Sequence, residues 1–469
     1  MKAHKTFPLA ASVLALALAG CSLTTPVKTP GDLSTPAWRD EVATTDAAID
    51  PEWWRAFGRD ELTGLIAAAL AENTDMQQAL ARIEQARARL RIAGASLYPA
   101  VGAGGSIGRD WSEPFGDDSS GRSSARGSLS VSYEIDLWGA NAASRDSARL
   151  RALGSEYDRA ALALVIASDV AQIYAEVLSL NDRLEISRNR LANVREILDL
   201  VEIRFREGAV SGLELAQQRG ELASLEATIA NLERQRTAAV NELAVLTGRA
   251  PQGFPAPAGS LNDLALPAPV IHPPALLLTR RPDLASAEAA LRAAHADIAV
   301  ARAAFFPSLT IGGDLSVAAN PISAAATTAA GIVGSLSAPI FEGGRLSGNL
   351  ALSKAARDEL VARYRGAVLQ SFREVEDAMA GLRSAEARNL AYEEATKQAQ
   401  IAYDISRERF EVGSIDFLTL LDAQRSLLQA QENLIVARQD RLAAIIQLYK
   451  AMGGGWTADA AADMAAAGS

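Results

Sequence analysis

The segment ERFEVG, from Glu408 to Gly413, decides the fold because IRFREG, from Ile203 to Gly208, resembles it 205 residues earlier. The helix-like segment that follows keeps this offset: Leu213, Leu215, Leu222, Leu243 and Gly248 match Leu418, Leu420, Leu427, Leu448 and Gly453. Further upstream the offset becomes 208, and Asp75, Ala79, Ala86 and Pro99 match Asp283, Ala287, Ala294 and Pro307. The repeat predicts one duplicated architecture instead of several unrelated domains.

Composition excludes several functional classes. The chain has 469 residues, a formal net charge of -10 and no basic run, which argues against nucleic-acid binding. Only His4, His272 and His295 are histidines, and no zinc spacing, P-loop or dinucleotide fingerprint is present. The glycines at 102, 104 and 105 lie in a strand-like run that no helix follows directly. We therefore expect no enzyme, no metal and no cofactor.

The first 20 residues are typical of a secretion signal. Lys2 and Lys5 give a positive start, and the apolar segment 9–19 is too short to span a bilayer. The signal ends in LAGC, which resembles a bacterial lipobox and implies a lipid on Cys21. Because Ser22 follows instead of Asp, the implied location is the outer membrane. The alternative is an ordinary signal peptide with a chance cysteine. Cys21 is the only cysteine, so no intramolecular disulfide can form.

Two segments alternate with a period of two. In 127–137, apolar residues at odd positions alternate mainly with serine, and 308–317 shows the same pattern. Weaker, glycine-rich versions occupy 101–107 and 332–340. Each is close to the 9–11 residues of a tilted transmembrane strand, although a soluble half-buried strand would alternate in the same way.

Four strands are too few to close a membrane barrel, and an open edge would leave backbone groups unpaired in lipid. If these strands cross a membrane, several chains must share one barrel. Two chains would supply eight strands and three would supply twelve.

Long helical segments separate the strands. Residues 142–206 contain no proline and would form a helix of about 100 Å; residues 345–408 would form one of about 95 Å. Gly208 and Gly413 then reverse the chain into return helices of about 55 Å. In the second return helix Leu420, Leu427 and Leu448 belong to a seven-residue row, which predicts supercoiled packing in a wall of helices. A simple two-helix coiled coil is the alternative.

Several motifs resemble the TolC-like outer-membrane factors, most closely the lipidated OprM/NodT type of RND tripartite efflux pumps. The motifs are SYEIDLWG (132–139), LSAPIFEGG (336–344), RFEVG (409–413), LTLLDAQRSL (418–427) and LYKAMGGGW (448–456). The resemblance implies a mainly α homotrimer. Four β-strands per chain would form a twelve-stranded outer-membrane barrel, continued by a twelve-helix periplasmic α-barrel.

The same resemblance implies a passive exit duct for drugs or other small molecules. An inner-membrane RND pump would supply the energy, and a periplasmic adaptor would connect the two. By position, Leu418 and Asp422 correspond to the family's channel gate, with Leu418 as an apolar plug and Asp422 as an acidic ring. The alternative is that Leu418 is ordinary helix packing and Asp422 a solvated carboxylate.

The hairpin tips correspond to the family's adaptor-docking turns. The tip residues are Gly208, Ala209 and Val210 in the first repeat and Gly413, Ser414 and Ile415 in the second. A glycine at a reversal also serves any helical hairpin, and the two interpretations are compatible. A type I protein-secretion duct and a lipid-anchored periplasmic coiled-coil spacer remain as alternative functions.

These observations predict six segments. They are a signal peptide (1–20), a lipid-anchored tether (21–57), a first repeat (58–250), a Pro-rich connector (251–273), a second repeat (274–456) and a C-terminal tail (457–469). Within the repeats we predict strands at about 100–108, 127–137, 308–318 and 332–341, and helical hairpins at about 142–248 and 345–452.

Overall fold

The computed structural model describes residues 37–39, 43–112, 120–319 and 326–458. The signal peptide, Cys21 and the end of the C-terminal tail lie outside the described residues. Each repeat contributes two short helices, two strands and a long helical hairpin, in the same order.

The first repeat consists of α1 (Asp60–Glu72), α2 (Thr74–Ala95), β1 (Ala100–Ser112), β2 (Ser120–Ile135), α3 (Ala140–Arg206) and α4 (Gly212–Leu246). The second consists of α5 (Pro274–Arg280), α6 (Pro282–Ala303), β3 (Ser308–Ala319), β4 (Ala326–Ser337), α7 (Arg345–Glu411) and α8 (Phe417–Ala451). The mainly α fold is therefore confirmed, with four strands among the residues that the structure describes. Strand β2 begins earlier than the predicted residue 127, because Ser120 to Arg126 pair with the second half of β1.

The break between α1 and α2 is capped by a residue that sequence reasoning passed over. In the sequence, the helical pattern of residues 60–97 is interrupted near residues 73–75, and this interruption predicts that Thr74 or Asp75 caps a new helix. In the structure the side-chain oxygen of Asn73 accepts hydrogen bonds from the amides of Asp75 (2.8 Å) and Met76 (3.3 Å). Asn73 is the better cap because its backbone lies just outside the helix, where its side chain can reach the first free amides.

The chain folds into two compact units, and each unit draws segments from both repeats. Among the described residues, one unit includes 82–112, 120–156, 286–319 and 326–365, with the whole sheet; the other includes 37–39, 43–81, 157–285 and 366–458, with both hairpin ends. The long helices α3 and α7 contribute to both units. The compact units therefore do not coincide with the sequence repeats.

The core of the second unit includes the described part of the N-terminal tether. Trp53 lies in a short 3-10 helix and is 1% exposed, and its ring stacks on Tyr449 at 5.1 Å. Trp38 donates a hydrogen bond from Nε1 to the carbonyl of His272 (2.7 Å) and packs against Phe372. Burial of large aromatic rings fixes this segment on the helices.

Glycines allow close backbone contact where the return helices end. Gly248 has a φ of 72° and Gly453 a φ of 88°, and both occupy equivalent positions in the two repeats. A side chain at Gly248 would meet the backbone of Glu72 at the end of α1, and one at Gly453 would meet the backbone of Arg280 at the end of α5. Glycine is required at both positions by conformation and by space.

Candidate functional site

The sheet has two chemically different faces. The strand order is β1-β2-β3-β4, and all three pairings are antiparallel. The register aligns Val101, Val131, Gly313 and Ile332 in one row across the strands, and Ala103, Leu129, Leu315 and Ala330 in another. The opposite face is mainly serine, threonine and glycine and includes the aligned row Gly102, Ser130, Asp314 and Gly331. The alternation predicted from sequence therefore becomes an apolar face and a polar face.

The apolar face is exposed within the described part of the chain. Ile107 is 89% exposed, Ile332 is 86% exposed and Leu336 is 70% exposed. Apolar side chains of this kind on one face and small polar ones on the other are typical of strands between lipid and an aqueous lumen. The sheet is thus built to face a bilayer on one side.

Aromatic residues flank the sheet at the strand ends that join the helices. Tyr98 precedes β1, Phe305 and Phe306 precede β3, Trp138 follows β2 and Phe341 follows β4. Trp138 stacks on Phe306 at 4.6 Å and donates a hydrogen bond from Nε1 to the carbonyl of Pro307 (2.7 Å). Tyr98 and Phe341 are 73% and 89% exposed. Such a row is typical of a membrane–water interface, where amphipathic rings collect.

The outer strands β1 and β4 each have one edge without a partner among the described strands. Strand β1 has 13 residues and β4 has 12, so both edges carry a full row of backbone donors and acceptors. An edge of this length inside a bilayer is satisfied only by pairing with another chain.

The two hairpin tips share one backbone geometry. Gly208 and Gly413 have φ values of 73° and 75°. In each tip the residue after the glycine donates a backbone hydrogen bond back into the long helix, from Ala209 to Arg204 and from Ser414 to Arg409, both at 2.8 Å. Left-handed glycine with this 6→1 bond ends a helix without unsatisfied carbonyls. The predicted tip residues therefore lie at the turns; Val210 and Ile415 pack partly on the core beside the turns.

The return helix α8 presents one buried and one exposed face near its start. Phe417, Leu420 and Leu421 are 2%, 1% and 1% exposed and pack in a cluster with Val201, Tyr403, Phe410 and Leu427. Leu418 is 52% exposed, and Asp422 is exposed one turn further along. The structure thus places both predicted gate residues on the same exposed face of α8.

A basic residue on this exposed face, Arg425, was not predicted. Arg425 lies three residues after Asp422, and its Nε donates to Glu221 of α4 at 3.0 Å. The other oxygen of Glu221 accepts from Arg190 of α3 at 3.0 Å. Arg190 also donates to the carbonyl of Gln424. Two guanidinium groups therefore share one carboxylate and join three helices.

Sequence alone offers little signal for this network. Glu221 and Arg425 are 204 residues apart and belong to different repeats, so no local spacing connects them. Arg190 is 9% exposed, although arginine in a long polar-looking helix is normally solvated. Only the folded packing of α3, α4 and α8 brings the three together.

Comparison with known proteins defines the class. The family model described as "Outer membrane efflux protein" matches residues 65–249 and 274–454, so the chain belongs to this family. The two matched ranges are the two repeats. The chain is an outer-membrane efflux channel with the TolC-like fold, as the sequence motifs predicted.

Individual relatives show which efflux channels this chain resembles in sequence and in structure. The chain is 38% identical over 460 residues to the pyoverdine export outer membrane protein OpmQ of Pseudomonas aeruginosa, covering 95% of this chain and 97% of the relative. It is 30% identical over 454 residues to the cation efflux system protein CusC of Escherichia coli, covering 94% and 98%. The open-state MtrE outer membrane channel of Neisseria gonorrhoeae superimposes with a TM-score of 0.83 at 26% identity, over 93% and 98%.

Proposed function

We propose that three copies of this chain form a closed exit duct. The main support for this proposal is the sheet, which has two chemically different faces and two edges without a partner among the described strands. Strand β4 of one copy would pair with β1 of the next, which gives 3 × 4 = 12 strands. The apolar face would contact lipid and the serine-rich face would line the lumen. Detergent-solubilised protein would show a trimeric mass by light scattering; a stable monomer would contradict this arrangement.

Leu418 and Asp422 form the gate in this proposal. Their exposure in the protomer supports the assignment: Leu418 is 52% exposed and Asp422 is exposed, so both side chains remain accessible after the described residues have packed. Threefold symmetry would bring three leucines and three carboxylates towards one axis, where the leucines exclude water and the carboxylates repel each other. The resting duct would therefore be narrow and acidic.

Single-channel conductance in a planar bilayer tests the duct and the gate together. We expect low conductance from the parent and a severalfold increase from the Leu418→Ser/Asp422→Ser variant. The matched control is Leu213→Ser/Gln217→Ser, which changes the equivalent positions of the first repeat. An equal increase in the control would remove the gate assignment, and an inserted trimer that never conducts would remove the duct.

The partners in this proposal are a periplasmic adaptor and an inner-membrane RND pump. The adaptor would dock at the tips formed by Gly208, Ala209 and Val210 and by Gly413, Ser414 and Ile415. The exposure of Ala209 and Ser414 supports docking, since a partner could contact both side chains at the protein surface. We expect Ala209→Arg or Ser414→Arg to abolish co-purification with the cognate adaptor while the trimer remains intact. Co-purification unchanged in both variants would place docking elsewhere.

A lipid on Cys21 anchors the mature chain in this proposal, and no other cofactor is needed because conduction is passive and no catalytic step occurs. Intact-mass analysis would show an acylated N-terminus beginning at Cys21. A mature protein without acyl groups would end this part of the proposal.

The cargo in this proposal is a water-soluble organic molecule of the kind that OpmQ exports, instead of a soft metal cation. Thioether groups prefer Cu(I), yet Met76, Met379 and Met452 are buried at 4%, 3% and 1% exposure. Expression of this chain in a Pseudomonas aeruginosa strain that lacks OpmQ would restore extracellular pyoverdine. Restored cation tolerance without pyoverdine export, in a strain that lacks CusC, would favour the opposite assignment.

A further inference from the structure

One carboxylate lies in the middle of the polar face of the sheet. Asp314 of β3 is exposed, and it pairs with Ser130 of β2 on one side and with Gly331 of β4 on the other. A Cβ at Gly331 would meet the Oδ1 of Asp314 at 2.9 Å. The carboxylate therefore extends across β4 into the space that glycine leaves open. The proposed gate gives Asp314 no role.

The surroundings of Asp314 on this face are uncharged. Successive rows of one face are two residues apart along each strand. Among the described strands, Asp314 is the only charged residue in its own row and in the two rows beside it. These three rows are Gly104, Ser128, Ser316 and Ala329; Gly102, Ser130, Asp314 and Gly331; and Ala100, Ser132, Gly312 and Val333.

Among the polar-face residues whose side chains the structure describes, the next charged ones are Arg126 and Glu134 of β2. Arg126 is aligned with Ala318 and Glu134 with Thr310, so both lie about 13 Å along the strand from the row of Asp314, on opposite sides of it. Because their charges are opposite and their distances are equal, their effects on this row largely cancel. Asp314 therefore sets the sign of the net charge on the described polar face.

The proposed trimer would place three copies of Asp314 at one level of the lumen, and this step rests on the proposed function. Twelve strands about 4.8 Å apart with a tilt of about 40° form a wall of about 24 Å diameter, so each carboxylate would lie within about 10 Å of the axis. The Debye length is about 10 Å at 0.1 M salt and about 3 Å at 1 M. The three carboxylates would therefore act on ions at the axis at the lower salt concentration, but hardly at the higher one.

We propose that Asp314 makes the barrel lumen selective for cations over anions. This selectivity is separate from that of the gate, because Asp422 belongs to the unit with the hairpin ends whereas Asp314 belongs to the unit with the sheet. A ring of like charges attracts counter-ions and excludes ions of its own sign. Cationic cargo would pass this level more readily than anionic cargo once the gate is open.

Reversal potentials in asymmetric potassium chloride test this selectivity. The measurements use the Leu418→Ser/Asp422→Ser background, so that the gate neither blocks the duct nor supplies a carboxylate. We expect this background to retain a preference for potassium over chloride at about 0.1 M salt. Asp314→Asn should lower the permeability ratio by at least about twofold, and Asp314→Lys should favour chloride. Both effects should shrink at about 1 M salt.

Moving the carboxylate by one strand is the matched control. Asp314→Asn/Ser130→Asp returns one carboxylate per chain to the same row, with its Cβ about 5 Å from the original position, and should restore the ratio. Ser130→Asn adds an amide to the row without changing the charge, and should leave the ratio unchanged.

The outcomes separate the role of Asp314 from the duct itself. A trimer that conducts with the same ratio in the background and in Asp314→Asn would overturn the role of Asp314 and leave the duct intact. A loss that Ser130→Asp fails to restore would also overturn it, because charge at this level would then not be the cause. An inserted trimer that never conducts would remove the duct, and the selectivity of its lumen with it.

Discussion

The two hairpin ends have the same turn but different interiors. Phe410 of the second hairpin is 4% exposed, whereas Phe205, its counterpart 205 residues earlier, is 42% exposed. Phe417 begins α8 and is 2% exposed, whereas the equivalent position at the start of α4 is Gly212. The duplication kept the backbone of the turn and placed the aromatic packing in one copy only.

Because of this difference, we expect the two hairpins to contribute unequally to the packing and stability of the hairpin ends. The ring of Phe410 lies 5.9 Å from that of Phe417 and 4.8 Å from the guanidinium carbon of Arg204. The second hairpin therefore packs its two helices against each other through Phe410 and Phe417, and it also contacts α3 through Arg204. The first hairpin reaches this shared cluster mainly through aliphatic residues such as Val201 and Leu215. Substitutions at equivalent positions of the two repeats can measure how much each hairpin contributes.

The largest effects are expected at the equivalent glycines Gly248 and Gly453. Alanine at either position would combine an unfavourable positive φ with a backbone clash, and we expect a loss of about 3 kcal/mol or more in unfolding free energy. The matched controls are Gly208→Ala and Gly413→Ala, where no atom lies within 4 Å of the new Cβ. These should lose about 1–2 kcal/mol. Chemical unfolding followed by circular dichroism measures all four; equal losses would contradict the close-contact explanation.

The next effect separates the two phenylalanines. Phe410→Ala would leave a cavity in the cluster and destabilise the fold by about 3–5 kcal/mol. Phe205→Ala would cost about 1 kcal/mol because its ring is already partly in water. The same unfolding measurement gives both values. A larger loss at Phe205 would reverse the proposed inequality between the hairpins.

Charge at the proposed gate also differs between the repeats, since Asp422 corresponds to Gln217. Asp422→Gln would remove the only acid of this pair and lower the cation-over-anion permeability ratio by a few-fold. Gln217→Asp would add a second carboxylate per chain and raise the ratio. Reversal potentials in asymmetric potassium chloride report both changes. A ratio that is the same in all three proteins would place selectivity elsewhere.

The smallest effect concerns the cap of α8. The hydroxyl and amide of Thr419 both donate to Asp416, at 2.7 and 2.8 Å, and hold the pKa of Asp416 below its ordinary value. A lowered pKa means that the cap stabilises the tip above the unfolded pKa and that this contribution is lost as the pH falls through the folded pKa.

Peptic cleavage near residue 416 should therefore increase as the pH falls below about 4. Asp416→Asn keeps a capping oxygen that does not titrate, so its cleavage should lack this pH-dependent increase once the activity of pepsin is corrected with a peptide substrate. An identical pH profile in the variant would show that another group controls the tip. Ser211, which occupies the cap of α4, provides the comparison at the first tip.

Periodicity was sufficient to predict most of the fold. The strands, the long helices and the reversals at Gly208 and Gly413 all follow from local patterns of apolar residues and glycine. Local patterns failed at the start of α2, where neighbouring polar residues could each serve as the cap and Asn73 is the one that does. They also failed at Ser120 to Arg126, a polar segment that forms a strand because it pairs with β1. In both places the deciding contact is visible only after the chain has folded.

The candidate site was predictable only in part. Family motifs located Leu418 and Asp422, and the structure places both on an exposed face of α8. The Arg190–Glu221–Arg425 network was missed because its members come from three helices in two repeats. Long-range charge pairing leaves no spacing that a sequence pattern can detect.

The free edges of β1 and β4 have a consequence for biogenesis. A lone protomer exposed to hydrocarbon would carry two rows of unsatisfied backbone groups, so the proposed trimer requires membrane insertion and subunit association to be coupled steps. The rate of insertion would then rise more steeply than linearly with the supply of newly secreted chains. In the proposed trimer, a truncated chain that retained α3 but lacked β4 would also have a dominant-negative effect, since it could occupy one of the three places without closing the barrel.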